Sequence, residues 1–260
     1  MVRGLNVFRE RFAGFQDRYV LIGGAAVEVA MDAAALQFRV TKDLDIVLHV
    51  ESLDAEFARA FWAFVIDGGY AFREKSIGKP TLYRFSKPSD ESFPHMIELF
   101  SRRPELVEPP EGGRLTRLPI ADEVSSLSAI LLNDDYCDFV QQGAYVWDGL
   151  SVLAAEYIVP LKARAWIDLT GRHERGEDVS RDDIKKHRND IIRLSQLISP
   201  AERIALPDSI CADLAEFVAR ALHEGAEPTV FGVIGMTLQD VRSLLIEVYD
   251  LAQAAGPIVK

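Results

Sequence analysis

The stretch that decides the fold spans residues 41–48 and reads TKDLDIVL. Isoleucine, valine and leucine fill its second half, which is typical of a β-strand. Side chains two residues apart on a strand leave the same face, so Asp43 and Asp45 are predicted to point together. Two carboxylates at that spacing repel each other unless something positive lies between them. The pair therefore predicts a bound cation on one face of a β-sheet.

A glycine pair precedes this strand in the sequence. The apolar run at residues 20–22 ends in Gly23 and Gly24, just ahead of a helix predicted over 25–35. Glycines in front of a helix expose backbone N–H groups that can hold a phosphate. A lone glycine pair is most often a tight turn, and both the Rossmann fingerprint and the Walker spacing are absent. Combined with the two aspartates, however, the pair indicates chemistry on a metal-bound nucleotide.

A third carboxylate, Glu98, lies in a strand predicted at 95–100. If that strand lies beside the first one, Glu98 joins the aspartate pair, although it could also be the polar face of an edge strand. Carboxylate oxygens are the ligands that Mg²⁺ prefers. Two such ions would bind the attacking oxygen and the leaving oxygen on either side of a phosphorus centre. The alternatives for the third carboxylate are Asp90 and Glu91.

Composition and charge exclude several classes of protein. The chain of 260 residues is 48% apolar and 27% charged, which is typical of a globular protein of one large or two modest domains. We expect a cytoplasmic protein without a membrane span or secretory signal, and two distant cysteines predict neither a zinc site nor a disulfide framework. The net charge of -11 argues against broad DNA binding, because phosphate neutralisation needs a positive surface. RNA or nucleotide binding at a local basic patch stays open.

The order of predicted elements divides the chain near residue 150. Residues 1–150 alternate helix-like and strand-like segments, whereas residues 151–260 are helical, and we expect two parts that pack together. Helices are predicted at 6–16, 25–35, 52–67, 156–169, 182–198, 208–224 and 237–254. Strands are predicted at 19–22, 43–50, 70–73, 81–86, 95–100, 127–132 and 145–153, with a connector at 105–113.

These motifs resemble the signature of the DNA-polymerase-β-like nucleotidyltransferase superfamily. The glycine pair followed by RVTKDLD at 39–45 is similar to the AbiEii/AbiGii-type and MenT-type toxins of bacterial abortive-infection and toxin–antitoxin systems. Many superfamily members have Gly-Ser where this chain has Gly-Gly, and the toxin-like branch commonly has Gly-Gly as well. A helix lysine and a later basic element with an aspartate are matched by Lys162 and by 186–191. The resemblance covers residues 19–197.

The resemblance implies a role for each matched residue. It implies that Asp43 and Asp45 bind the metal, and that Glu98 is a third ligand that assists deprotonation of the acceptor hydroxyl. Lys162 would neutralise charge on the nucleotide phosphates, and Asp190 would orient Lys162 or complete the site. The residues implied for nucleotide binding are Gly23, Gly24, Arg39, Thr41 and Lys162.

The implied fold is α+β, with a mixed β-sheet flanked by helices and followed by a helical C-terminal part. Residues 1–150 would form the nucleotidyltransferase catalytic domain, and 151–260 a helical domain that completes the active site. The implied reaction is attack of an acceptor hydroxyl on the α-phosphorus of an NTP, with Mg²⁺ or Mn²⁺ as cofactor and pyrophosphate as the second product. A toxin-like role implies tRNA or protein as the acceptor and a separately encoded antitoxin.

Two other functions stay open. A small-molecule, antibiotic-type nucleotidyltransferase would use the same site, and the acidic net charge favours it over an enzyme acting on RNA. A catalytically silent nucleotide-binding protein would keep the fold without the reaction.

Overall fold

The structure is a computed structural model, and the chain divides into two compact units. It describes residues 2–39, 41–49, 54–76, 81–101, 133–223, 225 and 227–251, with the backbone alone at 72–76, 81–83 and 101. The first unit takes the described residues up to 101 together with 140–154, and the second takes 133–139 and 155–251. The predicted strand at 127–132 and the connector at 105–113 lie outside the described residues.

The first unit is built on a β-sheet. Its strands are β1 Tyr19–Ile22, β2 Asp43–Leu48, β3 Ala71–Ser76, β4 Thr81–Ser86, β5 Met96–Ser101, β6 Ala144–Trp147 and β7 Leu150–Leu153. Its helices are α1 Leu5–Arg11, α2 Gly23–Ala33 and α3 Ala55–Asp67. Helix α4, Asp134–Gln142, begins in the second unit and ends in the first.

Among the described residues the strands form one sheet in the order β3-β4-β5-β2-β1-β7-β6. Strand β2 runs parallel to β5 and antiparallel to β1, and β1 runs parallel to β7. The outer pairs β3–β4, β4–β5 and β6–β7 are antiparallel. The predicted α+β class, with a mixed sheet and helices beside it, is therefore confirmed.

One face of this sheet packs on a cluster of aromatic rings from α1 and α3. Phe12 is fully buried, and its ring centroid lies within 6.4 Å of six other aromatic rings. From β2, Leu44, Ile46 and Leu48 belong to the same core. Because side chains alternate along a strand, the aspartates between these residues lie on the opposite face. The packing of β2 thus fixes the face on which the carboxylates stand.

The structure differs from the sequence predictions at three elements. The single strand predicted at 145–153 is the hairpin β6–β7, which turns at Asp148 and Gly149 with φ of 46° and 75°. An Asp-Gly dipeptide between two apolar runs is a strong hairpin signal, because both residues tolerate positive φ. Helix α4 was not predicted. The helix predicted from residue 25 begins at Gly23 instead, which brings the glycine pair into its first turn.

The second unit is helical, which confirms the predicted character of the C-terminal part. It contains α5 Ala155–Glu174, α6 Arg181–Leu194, α7 Asp208–Ala221 and α8 Leu238–Val248. Helix α5 packs against both α6 and α7. Within the described parts of the chain, none of the helices has the length and apolarity needed to cross a membrane.

Helix α5 accommodates Pro160 well inside its length. Proline has no N–H, so the carbonyl of Glu156, four residues earlier, loses its usual helical donor. The hydroxyl of Tyr249 donates to that carbonyl instead. A side chain from outside the helix thus replaces the missing backbone bond, and α5 continues through the proline.

Candidate functional site

The strand register places the third carboxylate beside the aspartate pair. Asp45 is the partner of Glu98 in the parallel pairing of β2 with β5, and Asp43 is the partner of Met96. Residues paired across strands share a face of the sheet. Asp43, Asp45 and Glu98 therefore lie on one face. The alternatives Asp90 and Glu91 are exposed and precede β5.

The glycine pair lies directly against the carboxylate strand. Gly23 has a φ of +64°, and a Cβ placed on it would come within 1.9 Å of Oδ2 of Asp45. A Cβ on Gly24 would come within 2.7 Å of Oγ1 of Thr41. Only glycine leaves room for both contacts, and only glycine adopts the first φ without strain. The two halves of the predicted motif thus meet at the first turn of α2.

The hydroxyl of Thr41 is buried without a hydrogen-bond partner among the described residues. Thr41 is 7% exposed, and its Oγ1 has no donor or acceptor within reach. Its backbone N–H donates to Oε2 of Glu28 at 3.4 Å, which connects this segment to α2. Leaving a buried polar group unpaired costs about 1–3 kcal/mol, which a ligand atom at that position would recover. A polar ligand atom next to Gly24 would give this hydroxyl a hydrogen-bond partner.

Glu98 is held by an arginine that the sequence analysis did not single out. Oε1 of Glu98 accepts from Nε of Arg84 at 2.8 Å and lies 2.6 Å from Nη2. Arg84 is the cross-strand partner of Glu98 in the pairing of β4 with β5. In the sequence Arg84 is a lone arginine in a predicted strand. Its partner depends on the register between the strands, which the sequence alone does not reveal.

The carboxylates fit a magnesium ion that is shared with a substrate. Within the described residues, no group of three or more His, Cys, Asp or Glu side chains is gathered closely enough to hold a metal by itself. Oε1 of Glu98 is engaged by Arg84. Asp43 and Asp45 lie on the same face, and Mg²⁺ is commonly bound by one or two carboxylates together with phosphate oxygens and water. The donor set suits that arrangement better than a closed protein site.

The second unit contains the predicted lysine and aspartate as a buried ion pair. Nζ of Lys162 on α5 lies 2.8 Å from Oδ2 of Asp190 on α6, and both side chains are buried. Arg193 lies one turn further along α6, with Nη1 3.5 Å from Oδ1 of the same carboxylate. A buried lysine requires an anionic partner, since an unpaired charge is very costly there. Asp190 supplies that partner and fixes the direction of Lys162.

Arg39, the last predicted nucleotide-binding residue, is partly buried. Its guanidinium carbon lies 5.1 Å from the centroid of the Phe38 ring, within the range of a cation–π contact.

No protein-family model matches this chain, and no curated protein matches it. Among solved structures it is similar to an antigenic nucleotidyltransferase-like protein from Paracoccidioides brasiliensis, at 15% sequence identity and a TM-score of 0.43. The similarity covers 95% of this chain and 94% of that chain.

Proposed function

We propose that this protein is a Mg²⁺-dependent nucleotidyltransferase that moves an NMP from an NTP to an acceptor hydroxyl and releases pyrophosphate. The observation that carries the proposal is the meeting of Gly23 with Asp45 at the start of α2. It places a helix N-terminus, which attracts phosphate, against a carboxylate that can bind a metal. The unpaired hydroxyl of Thr41 beside Gly24 is a second donor for a phosphate oxygen.

Each residue has a defined task in this proposal. Asp43 and Asp45 bind the metal, and backbone N–H groups in the first turn of α2 bind the triphosphate together with Thr41. When bound, Mg²⁺ neutralises phosphate charge and lowers the pKa of an attacking hydroxyl. The chain itself aligns the acceptor oxygen with the α-phosphorus, and such alignment supplies much of the acceleration in phosphoryl transfer.

Lys162 is proposed to neutralise charge on the nucleotide phosphates. Its ion pair with Asp190 supports this role, because a nearby carboxylate favours the charged form of the ammonium and fixes its direction. Lys162→Met is expected to raise the KM for NTP while the metal affinity of the nucleotide-free protein stays unchanged.

The acceptor is proposed to be tRNA or a protein, in a toxin-like role with a separately encoded antitoxin, on the resemblance of the motifs. A small-molecule acceptor is the second candidate, and the net charge of -11 favours it because an acidic surface repels RNA. A catalytically silent nucleotide-binding protein is the third candidate. It would bind Mg²⁺ and NTP without any turnover.

The test is transfer of label from α-labelled NTPs, in the presence of Mg²⁺, to total tRNA or to a panel of small hydroxyl-bearing antibiotics. We expect label in one class of acceptor and background transfer with Asp43→Ala and with Asp45→Ala. Transfer that survives both substitutions would remove the metal site from the mechanism. Nucleotide binding without transfer to any acceptor would favour the silent protein.

A further inference from the structure

The carboxylate face of the sheet carries its own counter-ion. The register aligns Arg84, Glu98 and Asp45 in one row across β4, β5 and β2. Since residues paired across strands share a face, the guanidinium stands on the same side of the sheet as the carboxylates. The guanidinium of Arg84 is therefore on the same face as the carboxylates of Asp43, Asp45 and Glu98.

Arg84 approaches Glu98 with two of its nitrogens. Both Nε and Nη2 approach Oε1, at 2.8 Å and 2.6 Å. The side chain of Glu98 is 4% exposed, and that of Arg84 is 24% exposed. The carboxylate is thus enclosed, whereas part of the Arg84 side chain is exposed, and an anionic group of a substrate can approach that part.

The Arg84–Glu98 ion pair lowers the affinity of this face for a cation. A guanidinium a few ångströms from a metal position opposes the binding of the metal, because like charges repel and the interior screens them less than water does. The same guanidinium presents a planar fork of donors that matches phosphate oxygens. A nucleotide can therefore accept the bonds that Arg84 gives to Glu98, and the carboxylate is then released.

We propose that Arg84 is a positioning residue that competes with the metal for Glu98 until a nucleotide phosphate draws it away. In the nucleotide-free protein Arg84 neutralises Glu98 and weakens cation binding at Asp43 and Asp45. When the triphosphate binds, Arg84 turns to phosphate and Glu98 becomes the third carboxylate of the metal site. Metal and nucleotide would then bind cooperatively. This inference rests on the proposed nucleotidyltransferase function.

The test is calorimetric titration of Mn²⁺ into the nucleotide-free protein. Arg84→Met removes one positive charge next to the proposed metal position, so Mn²⁺ should bind about tenfold more tightly. If that variant does not fold, Arg84→Gln takes its place with the same expected result. Arg84→Lys, which keeps the charge, should stay near the wild-type affinity. Arg203→Met removes an arginine from an exposed pair with Glu247 in the second unit and serves as the control.

The second readout is the effect of nucleotide. A non-hydrolysable NTP should raise the Mn²⁺ affinity of the wild type more than that of Arg84→Met, and the KM for NTP should rise about tenfold in the variant. If the wild type transfers label but Arg84→Met binds Mn²⁺ no more tightly than the wild type does, this inference alone is overturned. A wild type that binds neither Mn²⁺ nor NTP would overturn the proposed function as well.

Discussion

Gly23→Ala tests whether the glycine pair exists to make room for Asp45. The new Cβ would lie 1.9 Å from Oδ2 of Asp45, whereas real Cβ contacts essentially never fall below 3.0 Å. The clash involves Oδ2 and Cγ of Asp45, with its Cβ at 3.2 Å, so the carboxylate must move away from its place. A displacement of about 1 Å in a catalytic group costs roughly 100-fold in rate, and we expect a loss of that size.

Gly14→Ala is the matched control for this substitution. Gly14 has a φ of +91°, and a Cβ placed there meets nothing within 4 Å. Both variants bear the cost of a left-handed alanine, about 1–2 kcal/mol, which corresponds to a drop in Tm of a few degrees. Only Gly23→Ala displaces the carboxylate of Asp45, the proposed metal ligand. Differential scanning fluorimetry, Mn²⁺ calorimetry and the rate of label transfer separate the two effects. Equal transfer rates and Mn²⁺ affinities in both variants would refute the reasoning.

Three further predictions follow from single residues. Thr41→Val removes the unpaired buried hydroxyl, so the free energy of unfolding measured in urea should stay the same or rise by about 1 kcal/mol. The affinity for NTP measured by calorimetry should fall, and a loss of stability would contradict this prediction. Asp190→Ala removes the carboxylate that pairs with the buried Lys162, so urea denaturation should show a loss of about 3–5 kcal/mol in the free energy of unfolding, and a neutral result would mean that the pair is dispensable. Asp54 caps α3, and the N–H of Phe57 holds the pKa of its carboxyl below the usual value, so its contribution is present above about pH 4 and is lost as the pH falls through the lowered pKa. The Tm of Asp54→Asn, whose amide also caps but does not titrate, should therefore fall less steeply with acid than that of the wild type.

The local features of the site were predictable because they depend on short-range physics. Alternation of apolar residues fixed the face of Asp43 and Asp45, and the glycine pair identified the turn into α2. The pairing of Lys162 with Asp190 was implied by the resemblance of the motifs, and the structure brings the two residues together across α5 and α6. The face of the aspartates and the position of the glycine pair follow from the strand period and from local turn chemistry.

The features that sequence reasoning missed depend on long-range register. Arg84 meets Glu98 only because β4 pairs antiparallel with β5 at one particular offset, and shifting that offset by one residue would turn Arg84 to the other face. The hydroxyl of Tyr249 compensates Pro160 across a long span of chain, which local propensity cannot indicate. The β6–β7 hairpin was missed because an apolar run was given more weight than the Asp-Gly turn inside it.

The position of the transferred phosphorus tests the central claim most directly. The acceptor that is labelled with α-labelled NTP and Mg²⁺ should be assayed again with γ-labelled NTP, in the wild type and in Asp45→Asn. Nucleotidyl transfer predicts that the α label enters the acceptor, that the γ label leaves in pyrophosphate, and that Asp45→Asn transfers neither. Entry of the γ label into the acceptor, or undiminished transfer by Asp45→Asn, would contradict a nucleotidyltransferase built on this carboxylate face.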